Sequence, residues 1–191
     1  DVLDVGCGAG QQLLPFAEKR NSKCVGVDAA PEVSSVGSEV FEKAGFAGKG
    51  EFICAFGEDL PFDDESFDVV ICRVALPYME NRKAIAEMAR VIRPHGKLFL
   101  KTHAPAFYFG MLRERIKLLN PKQLAYPLIC LTGGTLNLLT GKQPQGGIWN
   151  GKEVFQTRGF LEQEFKKNKL RIVRELADSN SQTPSYLIEK T

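Results

Sequence analysis

The first ten residues, Asp1-Val-Leu-Asp-Val-Gly-Cys-Gly-Ala-Gly10, constrain the fold most, because an apolar run passes directly into a Gly-x-Gly-x-Gly turn. Val2, Leu3 and Val5 suit a strand of a parallel sheet covered on both faces. Gly6, Gly8 and Gly10 permit backbone torsions and ligand approach that a Cβ would block, so the turn reads as a loop for a nucleotide-type cofactor. Leu13, Leu14 and Phe16 lie among polar residues in Gln11 to Arg20, and a short helix with its first amides toward the ligand is expected there.

Spacing discriminates between cofactors. The dinucleotide fingerprint, Gly-x-Gly-x-x-Gly, would place its third glycine at position 11, which is Gln11; Gly10 comes one residue early. A second apolar strand, Cys24-Val-Gly-Val-Asp28, ends in a carboxylate. An ionised Asp28 only accepts hydrogen bonds and can take both protons of a ribose diol. Capping a helix that starts near Pro31 is its alternative role.

With these features the chain resembles the class I S-adenosylmethionine-dependent methyltransferases, in particular the small-molecule and quinone-type group with a Leu-Pro-Phe motif. Gly57-Glu-Asp-Leu-Pro-Phe-Asp-Asp-Glu-Ser-Phe-Asp-Val-Val70 resembles that group's segment between strands three and four, and Ala89-Arg-Val-Ile-Arg-Pro-His-Gly-Lys-Leu98 its approach to strand five. The resemblance covers residues 1 to about 104. It implies a Rossmann-like, doubly wound α/β fold: a mostly parallel seven-stranded sheet with an antiparallel last strand, and amino-terminal helices that this chain lacks. It also implies methyl transfer from S-adenosylmethionine, with S-adenosylhomocysteine as product.

Composition fits one globular domain. The 191 residues are 43% hydrophobic and 25% charged, with 25 basic and 23 acidic side chains and no basic block of the kind that tracks a polyanion, so nucleic acid is not an expected partner. Cys7, Cys24, Cys54, Cys72 and Cys130 form no C-x-x-C pair and read as reduced core residues of a cytoplasmic protein, with no metal site. No signal peptide or spanning helix is visible.

Period and punctuation outline the path. A helix opens at Pro31-Glu32 with Val33, Val36, Val40 and Phe41 on one face and closes at Gly45. Strands are expected at Glu51 to Phe56 and Asp68 to Val74. A helix from Asn81 carries Ile85, Met88, Ala89 and Ile92, and Pro94-His-Gly96 breaks it before strand five, Lys97 to Thr102. Such alternation means a parallel sheet with right-handed crossovers. A last helix is expected over Glu153 to Lys167, then strands Leu170 to Leu176 and Ser185 to Glu189, which the resemblance pairs as a hairpin.

The chain thus divides into a cofactor-binding core, 1–104, an acceptor-site insertion, 105–152, and a carboxyl-terminal helix and hairpin, 153–191. Within the insertion, Ala106 to Leu119 reads as an amphipathic helix striped by Tyr108, Leu112, Ile116 and Leu119, and ended by Pro121. Leu124 to Leu139 is apolar, interrupted by Pro127 and Gly133-Gly134, and too short for a confident span. Gln143 to Asn150 reads as a mobile loop carrying the only tryptophan, Trp149. Tyr108, Leu128 and Trp149 are the candidate acceptor contacts.

Ligands of open parallel sheets sit beyond the carboxyl ends of the strands. The resemblance places Asp4 near the methionine amino group, Gly6, Cys7, Gly8 and Gly10 along the cofactor, and Asp28 with Ala29 at the ribose. Asp4 could instead simply bond the loop amides. Where the family has an acidic residue at the adenine, this chain has Phe56-Gly57, so Phe56 would stack on the purine while Gly57 and Glu58 read its edge, unless Phe56 is core and Glu58 solvated. At Arg73 the family uses the backbone carbonyl to hold the methionine ammonium. Ala75-Leu-Pro-Tyr78 has no side chain at its first position to accept from a nucleobase amine, which argues against base methylation.

The sulfonium is already electrophilic, so alignment matters most, with proton removal where the acceptor needs it. His103, after strand five, and Tyr78, after strand four, are the candidate bases; His103 could equally just bond nearby backbone, and His95 should be structural or exposed. The expected function is methyl transfer to a small, partly apolar acceptor. A non-catalytic cofactor-binding or assembly module, or a nicotinamide-dependent oxidoreductase, are the alternatives, and the oligomeric state is open.

Overall fold

The computed structural model describes residues 1–19, 22–117 and 121–191. Its centre is a seven-stranded sheet in the order β3-β2-β1-β4-β5-β7-β6. Strands β1 (Val2–Val5), β2 (Cys24–Asp28), β3 (Gly50–Cys54), β4 (Phe67–Arg73) and β5 (Ile92–Lys101) pair in parallel, and β7 (Ser185–Lys190) runs antiparallel to both β5 and β6 (Leu170–Glu175). The parallel sheet with one antiparallel strand is the fold class expected from the sequence. Strand order reverses at β1, whose neighbours are β2 and β4, and a crevice at that reversal is where such sheets bind ligands.

Alternation along the strands divides the core between two faces. Leu3, Val5, Val70, Cys72, Leu98 and Leu100 meet α3 (Asn81–Val91) and α6 (Arg158–Lys167) through Ile85, Met88, Leu161 and Phe165. On the other face Val2, Cys24 and Ile71 meet Leu13 and Ala17, around α1 (Leu14–Lys19), and Val33 and Phe41 of α2 (Val33–Lys43). Phe52 lies in the second cluster, in a hollow that exists because Gly10, Gly26, Gly37 and Gly50 carry no side chain; a Cβ at any of them would come within 2.4–3.0 Å of its ring.

Several expectations shift. The first helix begins only at Leu14, and its expected end at Arg20 lies outside the described residues. In α2 the inward positions are Val33, Gly37 and Phe41, while Val36 is exposed, because Gly37 is what lets the helix approach Phe52. Strand β3 ends at Cys54, which is exposed and so not a core cysteine. The β4–β5 ladder begins at Ile92 and passes through Pro94-His95-Gly96 with an irregularity between Phe67 and Val69, since His95 at φ 64° bends the strand without ending it. His95 is exposed there.

Residues 105–152 differ most from expectation. Helix α4 (Pro105–Lys117) buries Tyr108 but exposes Ile116, and Leu119 lies outside the described residues. The apolar segment is one helix, α5 (Pro121–Thr140), running through Pro127 and both glycines. Those glycines admit aromatic rings: a Cβ on Gly134 would stand 2.3 Å from the Phe155 ring, and one on Gly133 3.0 Å from Trp149. Trp149 sits in a short 3₁₀ turn, Gly147–Trp149, against α5. Residues 153–157 form no regular element, and α6 starts only at Arg158, where the Thr157 hydroxyl accepts from the Phe160 amide at 3.2 Å. No helix of the described residues is long and apolar enough to cross a membrane.

Candidate functional site

A cavity of about 390 Å³ opens beyond the carboxyl ends of β1 to β4. The exit of β1 contributes Gly6, the end of β2 Asp28 and Ala29, the exit of β3 Ala55 to Glu58, and the end of β4 Arg73 to Ala75, with Tyr78 closing the 3₁₀ turn Leu76–Tyr78 and Met79 following it. Gly6 is fixed by two constraints: φ is +74°, and a Cβ would lie 2.2 Å from that of Ala75. The chain turns sharply at Val74, whose φ of 62° is rare for a β-branched residue and brings backbone to the cavity wall.

Asp28 organises the loop before any ligand arrives. One carboxylate oxygen accepts from the Gly8 amide at 2.9 Å and the other from the Ala30 amide at 3.0 Å, which joins the roles of loop staple and turn cap in one side chain. Each oxygen keeps a lone pair for further donors. Asp4 is 1% exposed, and its Oδ2 has no hydrogen-bond partner. Burial drives its carboxyl up to about 7, with Arg73 opposing and Asp28 adding to the rise. An unsatisfied carboxylate oxygen in a core is costly and suits a cationic partner.

Other expected residues divide into those at the cavity and those away from it. Phe56 is 66% exposed on the wall, so it is not core, and Glu58 is not merely solvated, since its Oε1 accepts from the Glu80 amide at 2.6 Å. Gly57 backs onto Met79, whose sulfur a Cβ would meet at 2.7 Å. Asp4, Cys7, Gly8 and Gly10 are not on the lining; Cys7 is buried, its thiol pushed up to about 12 by burial first and by Asp4 and Asp28 next. Gly10 instead faces the Phe52 ring.

Beside the cavity stands a cluster that sequence reading misses, centred on buried Glu153. Its Oε1 accepts from the hydroxyls of Tyr78, at 3.0 Å, and Tyr126; its Oε2 accepts from Tyr108 at 2.7 Å and lies 2.5 Å from His103 Nδ1. Burial would raise this carboxyl, but the hydrogen bonds from His103, Tyr126 and Tyr108 outweigh it and hold it at about 2. Burial and then Glu153 push all three phenols up, which makes them donors and poor bases. His103 stacks on Phe107 at 3.9 Å and is not on the cavity lining. Tyr108 is fully buried and offers no surface to a ligand; Leu128 is exposed on α5, and Trp149 packs on Gly133, both away from this cavity. Thr157, a helix-capping residue type, could have moved the expected helix start past Glu153 and left Val154 and Phe155 outside the helix, but nothing local marks Glu153 itself.

The strand order and the glycine turn at its reversal define a Rossmann-like α/β sheet of the methyltransferase type. Residues 3–100 match the methyltransferase domain family, and the chain belongs to it. An uncharacterized methyltransferase of Bacillus subtilis, YcgJ, is 39% identical over 103 residues, covering 53% of this chain and 40% of that protein. The sterol 4-C-methyltransferase strm-1 of Caenorhabditis elegans is 34% identical over 99 residues, 51% of this chain and 29% of the relative. The chain therefore spans well under two thirds of either relative. Among solved structures, magnesium protoporphyrin IX methyltransferase of Synechocystis PCC 6803, with bound SAH, superposes with a TM-score of 0.69 at 17% identity, over 100% of this chain and 74% of that one, a likeness of fold.

Proposed function

We propose that this chain is the cofactor-binding part of an S-adenosylmethionine-dependent methyltransferase acting on a small, partly apolar acceptor. The observation that carries the reading is the polar pair at the switch point: Asp28, with lone pairs to spare at the cavity, and Asp4, buried with an unsatisfied oxygen. A nucleoside bearing a diol and an amino acid matches both. Asp28 and Ala29 would hold the ribose, Phe56, Gly57 and Glu58 the adenine, and Asp4 with the Gly6 to Gly10 backbone the methionine end. When bound, the cofactor supplies an electrophilic methyl group; this chain's part is to align and to exclude water.

Residues 1–104 then act as the cofactor core, 105–152 as the acceptor cap, and 153–191 as the completion of the sheet. Relatives include an enzyme named for a sterol, which supports an apolar acceptor. Tyr78, at the cavity with its proton committed to Glu153, would orient that acceptor, and His103, with Nδ1 tied to the same carboxylate, is the base where one is required. The unpaired cysteines suit a cytoplasmic setting.

Calorimetry with S-adenosylhomocysteine tests the reading. The chain should bind it, and Asp28→Ala should weaken binding at least tenfold while the melting transition stays cooperative. Equal affinity in the variant would remove Asp28 from the site, and no binding to the unmodified chain would remove the cofactor assignment.

A further inference from the structure

Among the described side chains on the cavity wall, Asp28 and Glu58 are acidic and Arg73 alone is basic. An amino-acid cofactor is a zwitterion, and its carboxylate needs a cation. Asp4 pairs with Ile71 across the β1–β4 ladder, and Arg73 lies two residues farther along β4, so both belong to the same face of the sheet. They are close enough for Arg73 to oppose the upward shift of Asp4.

The guanidinium is only lightly committed. Its contact is with Asp178 Oδ2 at 3.5 Å, and the Lys101 ammonium approaches that same oxygen more closely, at 2.8 Å, while also donating to the Asp178 carbonyl at 3.0 Å. Lys101 thereby neutralises Asp178 and leaves most of the five N–H donors of Arg73 for a ligand. A guanidinium fork matches a carboxylate with two parallel hydrogen bonds. Arg73 also borders a second cavity, about 190 Å³, that reaches Gln12 and Phe16, so the side chain stands between the cofactor cavity and the start of α1.

We infer that the Arg73 side chain, held at its edge by Asp178, is the receptor for the α-carboxylate of the bound cofactor, completing with Asp4 a site for the amino-acid zwitterion. The inference rests on the cofactor reading above and assigns to Arg73 a side-chain role distinct from its backbone carbonyl. It makes Arg73 the residue that distinguishes the intact amino acid from truncated nucleosides.

Three probes separate the possibilities: S-adenosylhomocysteine, its decarboxylated analogue, which keeps the amine, and 5′-methylthioadenosine, which lacks the amino acid. Arg73→Ala should weaken S-adenosylhomocysteine at least tenfold, equivalent to about 1.4 kcal/mol, and leave the other two within twofold. Arg73→Lys should recover only part of the loss, since an ammonium cannot form the fork. A uniform loss across all three probes, or no loss for any, overturns the inference while the cofactor reading stands. Failure of the unmodified chain to bind any of the three overturns both. Arg73 is exposed, and coincident melting curves for the variants would show that folding is not the cause.

Discussion

At the residue scale Asp4 is held in the ligand-free chain against its own stability. Its carboxyl titrates near 7 in the fold and near 3.8 outside it, so its contribution is fully present below pH 3.8 and is lost as pH rises through 7. The charged or polar groups around it are Arg73, Asp28 and the Cys7 and Cys72 thiols; both thiols are pushed to about 12 and stay neutral. Asp4→Asn should therefore stabilise the ligand-free chain at pH 8, by roughly 2 kcal/mol or more at about 1.4 kcal/mol per pH unit of displacement, and by much less at pH 4. Urea midpoints at the two pH values measure this, and an equal gap at both would exclude Asp4 titration as the source. The same variant should lose S-adenosylhomocysteine affinity, because the ligand's ammonium would then meet a neutral amide in place of an anion.

At the scale of elements, the Leu60-Pro-Phe62 segment earns its place through α3. Arg90 donates to the carbonyls of Leu60, at 3.0 Å, and Phe62, at 2.7 Å, and to Asp64 at 3.0 Å, while Glu87 accepts from the Leu60 amide at 3.0 Å. The hydrogen bond from Arg90 holds the Glu87 carboxyl below its usual range despite partial burial. This clamp fixes the connection between β3, whose exit walls the cavity, and β4. Arg90→Ala should cost about 2 kcal/mol, the loss expected of charge-assisted hydrogen bonds, and should speed amide exchange at Leu60 selectively; unaltered protection there would show that the loop holds itself. How much was legible follows the same division. Strands with local apolar runs and helices with a regular stripe could be read from sequence, because their signals lie within a few residues. The continuity of α5 through Pro127 and Gly133-Gly134 could not, since it depends on rings from Phe155 and Trp149 that arrive from later in the chain. Glu153 was hidden for the same reason: its donors come from the 76–78 turn, the exit of β5, α4 and α5.

For the molecule as a whole, that carboxylate joins α4 and α5 to the exits of β4 and β5. Its carboxyl lies near 2 in the fold against 4.5 ordinarily, so the stability it contributes is present above pH 4.5 and is lost as pH falls toward 2. Glu153→Ala would leave the buried Tyr108 hydroxyl and His103, together with the hydroxyls of Tyr78 and Tyr126, without their acceptor, at a cost of about 3 kcal/mol or more. Limited proteolysis should then cut first within residues 105–152 while the sheet core persists; cutting that begins in the sheet would deny the joint this role. The hollow around Phe52 carries a different consequence. Gly10 belongs to the glycine turn after β1, Gly37 to a helix and Gly26 and Gly50 to two strands, yet a Cβ on any of the four would crowd the one ring of Phe52. The spelling of the glycine turn is therefore partly dictated by a side chain that does not line the cavity, and transplanting that turn into another sheet would require carrying along an aromatic residue from β3 and the three other glycines that make room for it.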